Sequence, residues 1–278
     1  MKIVSVKIAI LDLYAGHPNQ GMRGIQDILL RFREANQLKL DYQIFDVRAK
    51  NEIPNTEFDI YISSGGPGSP LESIGSEWEN NYFTLIHQLE DINRNPDRLD
   101  KKYVFFICHS FQLICRQYQL GKITKRKSTS FGIFPINRTS AGKSEKFFQG
   151  LGDPFYAVDS RDWQVIEPDE EQFLAMGAKI LALEKERPHV SLERCLMAIR
   201  FNTYFFGTQF HPEADPVGMK KHLLDEEKKN QIIQAHGADK YADMLQFLED
   251  PRKLEKTQYQ IIPAFLNQAL LALQEAYL

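Results

Sequence analysis

Three short segments of this sequence carry residue types that together could perform nucleophilic chemistry. Cys108 stands in Phe106-Ile107-Cys108-His109-Ser110-Phe111-Gln112, where an apolar run gives way to a helical pattern. His211 and Glu213 stand two residues apart in Gln209-Phe210-His211-Pro212-Glu213. A third segment, Gly65-Gly66-Pro67-Gly68-Ser69-Pro70, follows another apolar run and is rich in backbone amides. A nucleophile, a base, an orienting carboxylate and an amide-bearing loop are what acyl transfer through a thioester needs.

Each segment also has a plainer reading. Taken alone, Cys108 reads as a small buried hydrophobe at a strand end, because free cysteine is among the most buried residue types. A sharp turn from strand to helix at this point would instead lift the thiol above the sheet, with a helix N-terminus beneath it to favour the thiolate. Cys115 and Cys195 lie inside helix and strand patterns and read as packing residues. His211 and Glu213 could be a surface pair near a turn. In an extended segment, however, residues two apart project to one face, so Glu213 could accept from one imidazole nitrogen while the other faces Cys108. The Gly-Gly-Pro-Gly run alone is a turn, and it fits neither a dinucleotide fingerprint nor a phosphate loop. After a strand it can bring backbone close to a ligand. The N–H of Gly66 is then one candidate oxyanion donor and that of His109 the second, each contributing on the order of 3 kcal/mol to transition-state stabilisation.

The elements that must position these residues follow from periodicity. Lys7–Leu13, Tyr42–Val47, Phe58–Ser63 and Lys102–Cys108 read as buried strands, and Arg23–Gln37, Trp78–Ile92 and Phe111–Tyr118 as helices between them. This alternation predicts an α/β fold, a doubly wound, mostly parallel sheet of flavodoxin-like type with its site at the strand C-termini. Shorter strands are expected at Gly132–Arg138, Phe155–Val158, Ala175–Leu183, Leu196–Phe201 and Tyr204–Phe210. Beyond Glu213 the chain turns helical, with helices expected at Val217–Leu224, Glu226–His236, Ala242–Leu248 and Gln258–Tyr277. The last carries an apolar stripe of Ile261, Ile262, Phe265, Leu266, Ala269, Leu270 and Leu273, which reads as a face packed on the chain's own domain.

Composition narrows the classes. The chain has 278 residues, 43% of them hydrophobic, and a formal net charge of −3. The charge argues against a nucleic-acid or anionic-membrane surface. The basic run Lys122–Lys127 reads as a solvated strand or loop, and no apolar stretch is long enough to span a bilayer. Met1-Lys2-Ile3-Val4 runs straight into a strand pattern without a signal-like segment. Three cysteines without CxxC spacing predict neither a disulfide framework nor a zinc site, and a reducing cytoplasm is the expected setting.

Taken together, the segments resemble the class I (triad-type) glutamine amidotransferases, above all the glutaminase portion of GMP synthase. The resemblance rests on Ile10-Leu11-Asp12, Ser64 through Pro70, Ile107-Cys108 through Gln112, and Gly207-Thr208-Gln209-Phe210-His211-Pro212-Glu213. It spans roughly residues 5 to 215, which implies a domain over 1–215 and a helical extension over 216–278. It implies that Cys108 attacks the glutamine amide, that ammonia leaves, and that water hydrolyses the glutamyl thioester. His211 would be base and acid, Glu213 its orienter, and Gly66 and His109 the oxyanion hole. Gln112, with Gly65 and Gly68, would hold substrate, without metal or cofactor.

Two departures stand out. The family's elbow reads Gly-x-Cys-x-Gly, but here Phe106 and Ser110 occupy the glycine positions. Phe106, two before Cys108 on a strand, is expected on the same face as the thiol. Asp159-Ser160-Arg161-Asp162 stands where the GMP-synthase type carries a histidine-containing segment; Arg161 could read a carboxylate there, but the favoured reading is a surface residue in a salt bridge. No synthase domain follows, so ammonia would pass to a separate partner. Other readings are a γ-glutamyl hydrolase or peptidase, a homoserine acyltransferase, or a degenerate scaffold that binds a partner.

Overall fold

The computed structural model describes residues 5–276 except 189, 190 and 192. The expected start at Met1–Val4 and the expected helix end at Tyr277 fall outside the described residues.

The first half alternates strand and helix: β1 (Ser5–Asp12), α1 (Gly21–Asn36), β2 (Lys39–Asp46), the single turn α2 (Val47–Lys50), β3 (Ile60–Ser63), α3 (Glu77–Arg94), β4 (Tyr103–Ile107) and α4 (His109–Gln117). The second half contains β5 (Lys122–Arg138), α5 (Ser140–Lys143), β6 (Phe155–Ile166), α6 (Glu170–Met176), β7 (Lys179–Glu184), β8 (Leu196–Arg200), β9 (Phe205–Thr208), then α7 (Pro216–Leu224), α8 (Glu226–His236), α9 (Ala238–Phe247) and α10 (Arg252–Ala276). One sheet runs β2-β1-β3-β4-β9-β8-β7-β5-β6. The strands β2, β1, β3, β4 and β9 are mutually parallel. The strands β8, β7, β5 and β6 extend the sheet by antiparallel pairing.

The inner parallel strands β3, β4 and β9 are buried along their whole length because helices cover both of their faces, whereas the edge strand β2 is mixed in polarity and largely exposed. Successive residues of β4 divide between two cores. Tyr103, Phe105 and Ile107 join α1 and α10, whereas Val104 and Phe106 join α3 and α4. The carboxyl ends of β1, β3, β4 and β9 gather on one edge of the sheet, where an open α/β fold places its ligand crevice. The chain is therefore α/β and doubly wound, as expected, with added helices at its C-terminus.

One local difference and two refinements have physical causes. The strand expected over Ala175–Leu183 begins only at Lys179. The residues before it close α6, which Asp169 caps through Gln172 N and Gly177 ends in a left-handed conformation. The basic run Lys122–Lys127 opens the long strand β5, with Lys122, Lys125 and Lys127 exposed. The C-terminal stripe is more central than a covering layer. Ile261, Ile262, Phe265 and Leu266 of α10 are buried in the same core as Phe105 and Phe206, and the Phe265 ring stands 5.2 Å from that of Phe105. Among the described residues, no helix is long and apolar enough to cross a membrane.

Candidate active site

Cys108 is the junction between β4 and α4. It takes φ 49° and ψ −95°, left-handed for a side chain that ordinarily avoids that region. Such a conformation costs on the order of 1–3 kcal/mol and persists only where its surroundings enforce it. Here Cys108 N donates to Thr208 O at 2.8 Å, and Gln112 N donates to Cys108 O at 3.0 Å. Ser110 supplies a further tie. Its buried hydroxyl accepts from Ile107 N at 2.8 Å and donates to Ser63 O at 2.8 Å, joining the elbow to the strand that feeds the glycine loop.

The expectation that Phe106 shares a face with Cys108 is overturned. The Phe106 ring packs edge-on to Phe201 and Phe205, both at 5.8 Å, in the core beneath α4. Cys108 belongs to the opposite core, with Phe105 and Ile107. The positive φ at Cys108 breaks the strand's alternation, so the bulk at position 106 does not crowd the thiol.

β9 delivers the histidine. His211 N donates to Val158 O of β6 at 2.8 Å, an isolated bridge just past the end of β9. Pro212 and Glu213 then form a turn rather than the extended pair expected, and that turn folds the carboxylate back. His211 Nδ1 and Glu213 Oε1 stand 2.7 Å apart. Burial lowers the imidazole's proton affinity, but the charges of Glu213 and then Cys108 raise its pKa well above the ordinary value. The Cys108 side chain and the His211 ring flank Gly65, where a Cβ would lie 2.9 Å from His211 Cε1 and 3.6 Å from Cys108 Cβ.

The glycine loop is clamped from outside the site. Arg48 Nη1 donates to Leu13 O at 3.0 Å and Pro67 O at 2.7 Å, and Arg116 binds Pro70 O. Gly66 lies so close to Leu13 O that a Cβ would approach it to 2.3 Å. Gly68 takes φ 89° on the far side of Pro67. His109 opens α4, so its N–H lies beyond the helix's own ladder. Its side chain is a separate matter: burial, with Arg48 and Arg116 nearby, pulls the imidazole pKa down to about 3, and Nε2 lacks a partner among the described residues.

Gln112 is buried one turn into α4. Its Nε2 donates to Trp163 O and to Gln209 Oε1, both at 3.0 Å, so its amide protons point into the protein. Gln209 Nε2 in turn lies 3.6 Å from Cys108 Sγ, and Sγ is 3.7 Å from Ser160 O.

Arg161 is not at the surface. Its side chain is 1% exposed. Its Nε donates to Asp159 Oδ1 at 2.8 Å, and its Nη1 to Trp163 O at 3.2 Å, while Glu184 lies 3.4 Å from Nη2. A guanidinium is buried only when it is paired, and Asp159 of the same strand and Glu184 at the end of β7 supply the acids. Cys115 and Cys195 are fully buried, and burial raises both thiols, Cys195 to about 11.

Sequence reading missed three residues around the candidate site. Tyr14, just beyond β1, has its hydroxyl beside Gly65, where a Cβ would lie 3.2 Å away. Burial and then the charges of Glu213 and Cys108 raise that phenol's pKa well above its usual value. Arg48 and Gln209 were likewise unassigned. Gln209 was legible as part of the His-Pro-Glu segment; Arg48 carried no sequence signal.

The sequence matches the family model described as glutamine amidotransferase class-I over residues 26–230, and the chain belongs to that family. No curated protein matches it. Among solved structures it is similar to a glutamine amidotransferase from Thermotoga maritima, with a TM-score of 0.67 and 18% identity over 96% of this chain and 99% of that one. A glutamine amidotransferase from Methylobacillus flagellatus aligns with a TM-score of 0.63 at 12% identity over 96% and 94% of the two chains. The glutaminase domain of the Trypanosoma brucei CTPS, solved with bound acivicin, aligns with a TM-score of 0.56 at 14% identity over 95% and 94%. At these identities the structures establish the shared fold.

Proposed function

We propose that this protein hydrolyses the side-chain amide of glutamine through a thioester on Cys108 and releases ammonia for a separate synthase. The observation that carries the reading is that Cys108 and His211 meet across Gly65, where a Cβ would lie 3.6 Å from Cys108 Cβ and 2.9 Å from His211 Cε1, while Glu213 holds the far side of the imidazole at 2.7 Å.

The reaction follows from that set. His211 takes the thiol proton, and Sγ attacks the amide carbon as the C=O electrons move to oxygen. The N–H groups of Gly66 and His109 receive the oxyanion. As the carbonyl re-forms, the C–N bond breaks, and His211 returns its proton to the departing nitrogen, which leaves as ammonia. Water, deprotonated by His211, then attacks the thioester carbon. The C–S bond breaks to give glutamate, and the proton on His211 returns to sulfur. Glu213 holds the ring's orientation and balances the imidazolium charge at each stage. Gln112, Gly65 and Gly68 would hold the substrate, and the three free cysteines accord with a reducing cytoplasm.

Incubation with the glutamine-mimicking electrophile diazo-oxo-norleucine tests the nucleophile: adduct on Cys108 alone is expected, with ammonia release abolished in Cys108→Ala. Parallel assays on glutamine and γ-glutamyl peptides test the substrate. Turnover of the peptides with none of glutamine would replace this reading with a γ-glutamyl hydrolase, and failure to label Cys108 would end both.

A further inference from the structure

We propose that Gln209 is a catalytic residue of this site: its side-chain amide donates permanently to the Cys108 sulfur, and Gln112 fixes the sense of that donation. The inference rests on the reading of Cys108 as the nucleophile and adds a second donor to the reacting atom.

The direction of the hydrogen bonds follows from a backbone carbonyl. Trp163 O can only accept. It takes Gln112 Nε2 at 3.0 Å and Arg161 Nη1 at 3.2 Å. The Gln112 amide must therefore present its NH2 group there. The second proton of that group reaches the Gln209 side chain at 3.0 Å, which obliges Gln209 to present its oxygen. Gln209 is then left with its NH2 towards Cys108, 3.6 Å from Sγ. The arrangement has no freedom to reverse: Gln209 is fully buried and Gln112 nearly so, at 0% and 2% exposed. Flipping either amide would set oxygen against oxygen or NH2 against NH2. The buried pair of Arg161 and Asp159 anchors the origin of the chain on β6.

Two groups thus touch the sulfur in different ways. The neutral thiol can donate to Ser160 O, at 3.7 Å. A thiolate cannot, and it needs donors instead. His211 is one, but its proton is spent on the departing ammonia and so cannot solvate sulfur throughout the cycle. The Gln209 amide proton is not transferable. It can solvate the thiolate before attack, and again when the thioester C–S bond breaks and its electron pair returns to sulfur. A hydrogen bond offered to the charged form favours that form.

The test is alkylation of Cys108 by iodoacetamide, read by peptide mass spectrometry at pH 6.5 and pH 9.5, in the full-length protein. This probe reads the thiol whatever the natural substrate is. Gln209→Leu removes the donor, and its labelling rate is expected to fall about tenfold at pH 6.5 while staying within about twofold of the parent at pH 9.5, since only the neutral-to-thiolate balance changes. Gln209→Glu keeps the shape and offers an acceptor in place of the donor; its loss at pH 6.5 should be larger. Gln112→Leu, which frees Gln209 to turn, should fall between the parent and Gln209→Leu. If Gln209→Leu does not fold, Gln209→Glu decides. Equal rates for parent and variants at both pH values, or an equal loss at both, would overturn the proposal, the latter because it would report access rather than ionisation. A parent Cys108 unreactive at both pH values would overturn the nucleophile reading itself.

Discussion

Phe106 of β4 lies directly opposite Gly207 of β9, and the bulk of one occupies the space left by the other. A Cβ on Gly207 would meet Phe111 and Phe201 at 3.0 Å and Phe106 Cβ at 3.2 Å. The elbow thus tolerates phenylalanine because its neighbour strand carries no side chain there. Gly207→Ala should destabilise the fold by about 1–3 kcal/mol through overpacking. Phe106→Ala should cost about 3–5 kcal/mol through the cavity it leaves. The double variant should cost less than the sum, because Phe201, which packs on the Phe106 ring, can then move into the new cavity and away from the new methyl. Denaturant unfolding of the three variants measures this, and strict additivity would show that the two positions are not coupled.

That pairing marks the boundary of what the sequence could reveal. The strand–helix alternation of residues 5–118 and the order of the three chemical segments were legible because each is local: apolar runs, helical spacing and short motifs. The side to which Phe106 points was not, since it depends on a positive φ at Cys108 that reverses a period-two rule. Burial of Arg161 was equally hidden, because Asp159 is a local partner that a surface arginine could also have, while the second acid, Glu184, lies 23 residues away on another strand. Tyr14 and Arg48 reach the site only through the sheet's strand order, which no local pattern encodes.

Ser110 stands where the resemblance anticipates glycine, and its hydroxyl ties Ile107 N to Ser63 O. Ser110→Ala leaves both backbone groups buried without that partner, at a cost of about 1–3 kcal/mol. Because the tie sets Cys108 against the glycine loop, kcat should fall more than KM rises. Steady-state kinetics with glutamine, alongside a melting curve, would separate the two effects; an unchanged kcat in a folded variant would confine the serine to stability.

The elevated pKa of His211 has a defined pH consequence. Burial opposes protonation, yet Glu213 and Cys108 more than offset it, so the folded value lies above the ordinary histidine value of about 6.5. The fold therefore favours the imidazolium. That contribution to stability is complete below about pH 6.5 and is lost as pH rises through the raised folded value. Cys108→Ala removes the sulfur's share and leaves that of Glu213. The titration midpoint of the His211 Cε1 proton, followed by NMR, should move down in that variant. A midpoint that does not move would show sulfur and ring to be uncoupled.

His109 predicts the opposite trend on the acid side. Burial first, and then Arg48 and Arg116, draw its pKa down to about 3, so it stays neutral in the fold. The unfolded chain protonates this residue below about 6.5 and so binds more protons than the native state between there and about 3. Stability must fall as pH drops through that window. Replacement by a group that does not titrate, as in His109→Phe, should flatten the acid limb of the stability profile. Unfolding midpoints between pH 7 and pH 4 would show it, and an acid limb as steep as the parent's would place the responsible proton elsewhere.

Gly24 offers a test in which two known effects oppose each other. It sits inside α1, where alanine would ordinarily be better by about 1 kcal/mol on helix propensity. A Cβ there would lie 2.3 Å from the backbone oxygen of Glu213 and 3.1 Å from its carbonyl carbon. The obstacle is main chain, which cannot turn aside as a flexible side chain could. Relief must come from shifting α1 or from displacing the turn that carries Glu213. The clash should outweigh the propensity gain, so Gly24→Ala is expected to lower stability by about 1–3 kcal/mol. The same displacement pulls the carboxylate from His211 Nδ1, so kcat should fall well beyond the change in KM. A Gly24→Ala protein that is more stable and fully active would mean that α1 and the Glu213 turn are not held in contact.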